Sequence, residues 1–147
     1  MTPKLPVSVL VVVHTPQFDV LLLERASRPG FWQSVTGSLD RADEPFASAA
    51  QRELREETGI EAQIGELRCW PLAYTFEIYA HWRHRFAPGT THNIEHVFSI
   101  QLPQRAPVTL APQEHTASLW LPWHEAAAKC FSWSNRDAIR LLGGCAG

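Results

Sequence analysis

A dense cluster of charges lies near the C-terminal end of the first long helix predicted in this chain. Residues 52–60 read RELREETGI, with three glutamates and two arginines in six consecutive positions before Gly59. Negative charge is disfavoured at a helix C-terminus, and like charges three or four residues apart repel each other. Glu53 has Glu56 and Glu57 at these spacings, so the cluster destabilises its own helix. Such a cluster suggests that a divalent cation binds there.

The helix that carries this cluster is predicted over residues 44–58. Pro45 suits its first turn, where the missing N–H needs no partner, and the glycine after the helix suits a C-terminal cap. Ala47, Ala50 and Leu54 form a narrow stripe that can pack closely on a sheet. The glutamates lie off this stripe, and we expect them to face the solvent.

Carboxylate oxygens in such a cluster are suited to hard cations such as Mg²⁺ or Mn²⁺. Mg²⁺ takes few protein carboxylates and completes its coordination with water and substrate phosphates, which points to phosphoryl chemistry. Arg52 can hold one of the carboxylates through a charge-assisted hydrogen bond. The alternative interpretation is an ordinary solvated helix stabilised by Arg–Glu pairs.

Composition narrows the class of protein. The chain has 147 residues, is 45% apolar and 19% charged, and carries a formal net charge of −2. This balance predicts one globular domain, residues 1–147, without a basic surface for nucleic acid or membrane. Three cysteines without CxxC spacing argue against a disulfide framework and a zinc site, and favour a reducing, cytoplasmic compartment. The apolar run 7–13 is too short to span a membrane and lacks a signal-peptide cleavage site.

Strands are predicted on both sides of the helix. Candidate strands cover residues 7–14, 20–23, 31–37, 62–70, 72–82, 95–102 and 119–121, the first two forming a hairpin. Two further helices are predicted at 122–129 and 134–142, the second capped by Ser134 or Asn135. This order predicts a mixed β-sheet sandwiched between helices, an α/β fold of the α+β type.

Histidines do not suggest a metal site, although the chain has seven of them. Residues 81–85 continue a predicted strand with period two, which puts His81 and His84 on opposite faces. A zinc site is therefore not expected there. The segment is interpreted as a patch on the phosphate side of a site, or as ordinary surface.

A family resemblance follows from the glutamate segment. Residues 52–60 resemble the second half of the Nudix box residue for residue, R-E-hydrophobic-x-E-E-x-G-hydrophobic, and Glu44 stands eight residues before Arg52 as the box requires. Six residues separate Gly37 from Glu44 where the family has five, so the extra residue is expected in the loop. Other segments resemble one subfamily, the bacterial dihydroneopterin triphosphate pyrophosphatases: PVSVLVVV and residues 31–37, 76–78, 84–85, 87–89 and 132–136.

The resemblance implies a Mg²⁺-dependent pyrophosphohydrolase, with Mn²⁺ as the alternative ion. Its reaction would split dihydroneopterin triphosphate into the monophosphate and pyrophosphate, in folate biosynthesis. The residues implied for metal binding are Glu53, Glu56, Glu57, Glu114 and Gly37, and those implied for catalysis are Glu56, Glu57, Glu114 and Arg52. Without the resemblance, Glu114 would be interpreted as a solvated loop residue.

Substrate contacts are also implied by the resemblance. They are Lys4, Arg25, Thr36, Phe76, Glu77, Ile78, Tyr79 and Ser132. Lys4 and Arg25 can neutralise phosphates, and each is alternatively a solvated charge at a strand end. Phe76 or Tyr79 can stack on a pterin, or belong to the sheet core, and Glu77 can accept hydrogen bonds from the pterin amino edge. Alternation along a strand prevents all four neighbours from pointing at one ligand.

Two other functions stay open. One is the same chemistry on other substrates, as in a (d)NTP pyrophosphatase of nucleotide sanitation, which would share every catalytic residue. The other is a non-catalytic binding module of the same fold, which has no need for the repulsion among Glu53, Glu56 and Glu57. In each case the expected partner is a small-molecule triphosphate, and no protein, nucleic acid or membrane partner is implied.

Overall fold

A mixed β-sheet lies at the centre of the structure, a computed structural model that describes residues 2–144. Its strands are β1 (Val7–His14), β2 (Asp19–Arg25), β3 (Trp32–Gln33), β4 (Val35–Ser38), β5 (Arg68–Glu77), β6 (His92–Gln101) and β7 (His115–Pro122). The helices are α1 (Phe46–Thr58), α2 (Trp123–Lys129) and α3 (Trp133–Gly144), with short 3₁₀ helices at Ile64–Glu66 and Ala80–Arg85.

Strand β1 connects the two halves of the sheet. One edge pairs in parallel with β6 along its whole length, from Val7 opposite Ile94 to His14 opposite Gln101. The other edge pairs antiparallel with β4 near the start of β1 and with β2 at its end. β5 extends the sheet beyond β6, while β3 and β7 both pair with β2.

Helices cover both faces of this sheet. Because successive side chains of a strand point to opposite faces, β1 contributes to two cores. Val9, Val11 and Val13 pack on the side of α1, whereas Leu10 and Val12 pack on the side of α2 and α3. Burial of each such side chain contributes about 1.5–3 kcal/mol. The predicted sheet between helices is confirmed.

Helix α1 follows the prediction except at its start. Pro45 occupies the cap position in an extended conformation, with ψ at 138°, so Glu44 lies before the helix and not in its first turn. At the other end Gly59 has a φ of 75°, which is the left-handed conformation that favours glycine. Ala50 and Leu54 are fully buried, which confirms the predicted packing stripe.

The region between α1 and β6 differs most from the prediction. The two strands expected at 62–70 and 72–82 are a 3₁₀ turn followed by one strand, β5. β5 continues through Pro71 because its register against β6 shifts between Cys69 and Ala73. Such an irregularity on an outer strand accommodates a residue that has no N–H to donate.

The strand predicted at 81–85 is wrong, because Ala80–Arg85 forms a 3₁₀ helix. The end of this helix lies beside the N-terminal segment of the chain. The Lys4 N–H donates to the Arg85 carbonyl over 2.8 Å, and Lys4 pairs with Phe86 in an isolated bridge. Two cationic side chains distant in sequence are thereby brought to one place.

The strand predicted at 31–37 is divided at Ser34, which bonds to α3. Asn135 Oδ1 accepts from the Ser34 N–H at 2.7 Å, and Asn135 Nδ2 donates to Ser34 Oγ at 2.9 Å. The cap predicted at Ser134 or Asn135 is wrong, since Ser132 Oγ accepts from the Asn135 N–H at 3.2 Å. None of the helices within residues 2–144 combines the length and the apolar character needed to cross a bilayer.

Candidate active site

Two adjoining cavities contain the predicted site residues. The acidic cleft, about 780 Å³, is lined by residues that include Arg52, Glu53, Glu56, Glu57 and Glu114. The aromatic pocket, about 270 Å³, is lined by residues that include Phe76, Glu77, Ile78, Tyr79, Trp82, Phe131 and Ser132. Both cavities are lined by Lys4, Arg25, Gln33, Thr36, Gly37, Ser38 and Arg85. We call this shared wall the junction.

Two of the three helix glutamates point inward. Glu53 is 8% exposed and Glu57 only 1%, whereas the Glu56 side chain is 48% exposed. The expectation that all of them face the solvent is therefore wrong for Glu53 and Glu57. The reason lies in β4, where Gly37 has no side chain and leaves room for the Glu53 carboxylate. A β-carbon at Gly37 would overlap that carboxylate, so the glycine serves close approach.

Arg52 organises the acidic side of the cleft. Its guanidinium donates to Glu44 Oε1 and Oε2, each at 3.1 Å, and to Glu53 Oε1 at 2.7 Å. It also forms an ion pair with Asp40 at 3.1 Å. The hydrogen bond from Arg52 is the main cause that lowers the pKa of Glu44. Glu44 lies before α1 and is held against that helix by Arg52. The loop before Glu44, one residue longer than the family pattern, therefore still brings Glu44 to the helix.

Glu57 has the environment of a metal ligand. Neither of its two buried oxygens accepts a hydrogen bond. Burial is the largest cause that raises its pKa well above the usual value, and Glu53 and Glu114 add to it. A buried carboxylate beside other carboxylates is costly unless a cation compensates it. Ligand atoms of Glu57, Glu114 and His115 lie within 4.8 Å of one another, so this donor set fits a divalent cation.

His115, at the start of β7, is a site residue that the sequence analysis missed. Burial lowers its pKa to about 4, so its ring is neutral at neutral pH. Its Nε2 lies 3.7 Å from Glu57 Oε1 and 3.3 Å from Gln33 Nε2. Gln33 Oε1 in turn accepts from Arg25 Nη1 at 3.3 Å. The available signal was the position of His115 next to Glu114.

Three cations meet at the junction: Lys4, Arg25 and Arg85. The Arg25 guanidinium lies over the Trp82 ring, 4.5 Å from its centroid. Its Nε is buried and has no hydrogen-bond partner. Burial, and then the nearby Arg85, lower the pKa of Arg25. A guanidinium held in this way is a preformed donor for an anion such as phosphate.

Aromatic rings form the walls of the second cavity. Trp82 contacts Tyr79 at 5.5 Å and Phe131 at 5.8 Å between ring centroids, both in edge-to-face arrangements. β5 ends at Glu77, so strand alternation does not extend across the next two residues, and all four residues 76–79 line the pocket. The Glu77 side chain is 69% exposed and paired with Arg83.

A polar patch interrupts the apolar wall of this pocket, and it too was missed from sequence. Glu95 on β6 is 5% exposed, and its Oε1 accepts no hydrogen bond. Burial raises the pKa of Glu95 to about 7. Asn93, on the same side of β6, donates through Nδ2 to Ser8 Oγ at 2.7 Å. The three side chains come together through the parallel pairing of β1 with β6.

Comparisons with known proteins agree with this geometry. The NUDIX domain family model matches residues 4–142. Dihydroneopterin triphosphate diphosphatase from Escherichia coli K12 is 44% identical over 139 residues, which span 92% of this chain and 91% of that protein. A protein of the same name from Haemophilus influenzae is 35% identical over 136 residues, spanning 90% and 84%.

Solved structures give the same result. The E. coli dihydroneopterin triphosphate pyrophosphohydrolase superposes with a TM-score of 0.88 at 42% identity, covering 96% of this chain and 97% of that one. A C. elegans Ap4A hydrolase, with a TM-score of 0.67 and 20% identity, shares the fold alone. The predicted resemblance is confirmed. Residues 52–60 are folded so that Glu53 and Glu57 enter the cleft, and the family model matches the chain across the whole sheet. This chain therefore belongs to the Nudix family.

Proposed function

We propose that this chain is a Mg²⁺-dependent pyrophosphohydrolase that cleaves 7,8-dihydroneopterin triphosphate to the monophosphate and pyrophosphate. The observation that carries the proposal is the junction, where a cleft rich in carboxylates adjoins a pocket rich in aromatic rings. A substrate with a flat ring at one end and a triphosphate at the other fits this combination. The names of the E. coli and H. influenzae relatives support the choice of substrate.

Substrate binding is divided between the two cavities. Lys4 and Arg25 contact the phosphates at the junction, and the unpartnered Nε of Arg25 supports this role. Arg85, which was expected only as part of a phosphate-side or surface patch, also contacts the phosphates there. Thr36 lines the same wall, although its hydroxyl already donates to the Val9 carbonyl at 3.0 Å. Residues 76–79 and Ser132 surround the ring.

The metal site in this proposal consists of Glu53, Glu57 and Glu114, with His115 beside the last two, Glu56 at the exposed side and Gly37 offering backbone. Mg²⁺ is the proposed ion, and Mn²⁺ suits the same oxygen ligands. When bound, the cation neutralises phosphate charge and orients a water for attack at phosphorus. The hydrogen-bond-free oxygens of Glu57 support its role as a ligand.

Proton transfer is assigned to the carboxylates that reach solvent. Glu114 is exposed and within reach of Glu57, and Glu56 is half-exposed and 3.5 Å from Arg52. Each can accept the proton that the attacking water loses. Glu57, buried and adjacent to both, is the third member of the catalytic set. Arg52 orients Glu53 and thereby the helix side of the site.

We further propose one domain over residues 1–147, acting in the cytoplasm on a small-molecule triphosphate. The family match over residues 4–142 supports the single domain. Cys69 and Cys130 are free thiols, which fits a reducing compartment. Cys145 lies outside the described residues. We expect no protein, nucleic acid or membrane partner to be required for turnover.

Turnover assays test the function directly. The protein is incubated with Mg²⁺ and dihydroneopterin triphosphate, or with each dNTP, and kcat/KM is compared, with products identified by phosphorus NMR. We expect the pterin substrate to be preferred and to yield pyrophosphate, and EDTA to abolish the reaction. Equal or faster turnover of a dNTP would overturn the assignment in favour of a nucleotide pyrophosphatase. Binding of the pterin without turnover of any substrate would identify a binding module.

A further inference from the structure

Glu95 is a buried carboxylate that neither the metal site nor the phosphate site uses. It lies on the inner side of β6, is 5% exposed, and borders the aromatic pocket. Its Oε1 has no hydrogen-bond partner. Burial raises the pKa of Glu95 to about 7, and the Ser134 hydroxyl on α3 partly offsets this by favouring the charged form. With a pKa of about 7, the carboxyl group is about half ionised at neutral pH, and donors from a ligand would favour the ionised form.

No cation compensates Glu95 among the groups that act on its pKa in the described part of the chain. Lys4, Arg25 and Arg85 border the same pocket but lie at the junction with the acidic cleft. Asn93, two residues away on the same strand, donates an amide N–H to Ser8 and leaves Glu95 Oε1 without a partner. The pocket is also lined by Ser132, Ser134 and Asn135, whose polar groups hydrogen-bond to one another or to Ser34. Among the described residues that line the pocket, Glu95 is thus the only one with a buried side-chain oxygen that has no hydrogen-bond partner.

A buried acceptor without a partner is costly, and a ligand that supplies donors recovers this loss. A ligand with two adjacent donors suits a carboxylate best, because its two oxygens can accept them side by side. The position is also rigid, since Glu95 lies in the middle of the sheet between Ser8 of β1 and Tyr74 of β5. Such a group can discriminate between rings that differ in one polar atom.

We propose that Glu95 is a specificity-determining residue at the base of the aromatic pocket, accepting hydrogen bonds from the ring N–H and the 2-amino group of the pterin. This inference rests on the proposed function and deepens it. It also replaces Glu77, the carboxylate expected from sequence to bind this edge. Glu77 is exposed and already paired with Arg83, whereas Glu95 is buried and its Oε1 has no hydrogen-bond partner.

Binding of the ring without phosphates or metal tests the inference. Neopterin and its lumazine analogue, which has a 2-oxo group in place of the 2-amino group, are titrated while tryptophan fluorescence is recorded. Trp82 and Trp133 border the pocket and serve as reporters. We expect the wild-type protein to prefer neopterin, and Glu95→Gln to weaken neopterin binding about 10-fold to 100-fold. The preference over the lumazine should shrink or reverse, because a Gln amide can donate to the 2-oxo group.

Two further variants separate recognition from folding. Glu61→Gln alters an exposed carboxylate in the loop after α1 and should leave both dissociation constants unchanged. Glu77→Gln tests the rival assignment, and loss of the neopterin preference in this variant, with Glu95→Gln unaffected, would overturn ours. Because Gln matches Glu in size, Glu95→Gln should keep the wild-type Tm within a few degrees or raise it. A purely structural role would lower Tm without changing the ratio of the two affinities.

Failure of the inference can be distinguished from failure of the function. If wild type hydrolyses dihydroneopterin triphosphate and Glu95→Gln keeps the wild-type preference for neopterin, the role of Glu95 is wrong and the function stands. If wild type does not hydrolyse the pterin triphosphate at all, the proposed function is wrong whatever Glu95 does. In the hydrolysis assay we expect Glu95→Gln to raise KM for the pterin substrate while kcat changes little.

Discussion

Gly37 and Glu53 are so close that a β-carbon on Gly37 would overlap the Glu53 carboxylate. On the other side Arg52 Nη1 donates to the same carboxylate at 2.7 Å. The carboxylate is therefore held between β4 and the guanidinium, and it is aimed into the acidic cleft. The φ of Gly37 is not positive, so its backbone conformation does not require glycine. The glycine is needed because a side chain would fill the space that the carboxylate occupies.

Gly37→Ala is expected to displace Glu53 and weaken metal binding. We expect the dissociation constant for Mn²⁺, measured by calorimetry, to rise about tenfold or more, and kcat/KM to fall by a similar factor. Overlap in a packed region should also cost about 1–3 kcal/mol of unfolding free energy. Gly65→Ala is the matched control, because nothing lies within 4 Å of a β-carbon there. Unchanged Mn²⁺ affinity in Gly37→Ala would remove Glu53 from the metal site.

Glu57→Gln should separate metal binding from folding. The Glu57 carboxylate is buried, has no hydrogen bond, and lies beside Glu53 and Glu114. Replacing it should abolish Mg²⁺-dependent turnover, while metal-free Tm stays equal or rises because repulsion is relieved. Mg²⁺ should raise Tm in wild type and not in the variant. A clear loss of metal-free stability would instead identify Glu57 as a structural residue.

Arg52→Lys should destabilise the protein although charge is conserved. An ammonium group lacks the planar fork that bonds both oxygens of Glu44 and one of Glu53. We expect the unfolding free energy to fall by about 2 kcal/mol in urea titrations, as Glu44 is only 8% exposed and loses the paired hydrogen bonds from Arg52, keeping the one from the Asp40 N–H. Arg55→Lys, on the exposed side of the same helix, is the matched control and should change stability little. Equal stability of both variants would contradict the role given to Arg52.

The sequence was sufficient for the family and the layered fold, and it singled out the α1 glutamates that line the acidic cleft. Residues 52–60 carry a long pattern within one continuous segment, so the resemblance to the family could be recognised from local spacing. The direction of Glu53 and Glu57 could not be predicted in this way, because it depends on the close approach of Gly37 from another element. A helical pattern gives the positions of side chains around the helix relative to one another. It does not say which of those side chains will face a space in the neighbouring sheet.

Residues brought together only by strand pairing were not predicted. Glu95 had no local signal, because Ser8 lies beside it only after β1 pairs with β6, and Ser134 approaches it from α3. For residues 81–85 the local pattern predicted the wrong element. Polar and aromatic side chains alternate there as in a strand, but the segment is a 3₁₀ helix. Periodicity over five residues does not distinguish a strand from one turn of helix.

Glu95 should also give the free energy of unfolding a pH dependence of its own. Burial raises its pKa from 4.5 to about 7 in the folded protein, so the folded state keeps a proton that the unfolded state has lost. Its contribution to stability is thus fully present below pH 4.5 and is lost as pH rises through 7. Tyr74 of β5 faces it and stays neutral, because burial raises the pKa of that phenol. The remaining polar neighbours, Ser8 and Ser134, do not titrate.

Comparison of metal-free wild type with Glu95→Gln isolates this contribution. The difference in unfolding free energy, wild type minus variant, should decrease by about 3 kcal/mol between pH 4.5 and pH 8. Urea titrations across this range measure it, and the carboxylates of the acidic cleft cancel because both proteins contain them. A difference that stays constant with pH would mean that Glu95 has the same pKa in the folded and the unfolded protein. In that case Glu95 would have a compensating partner, and its open oxygen would no longer argue for a ligand.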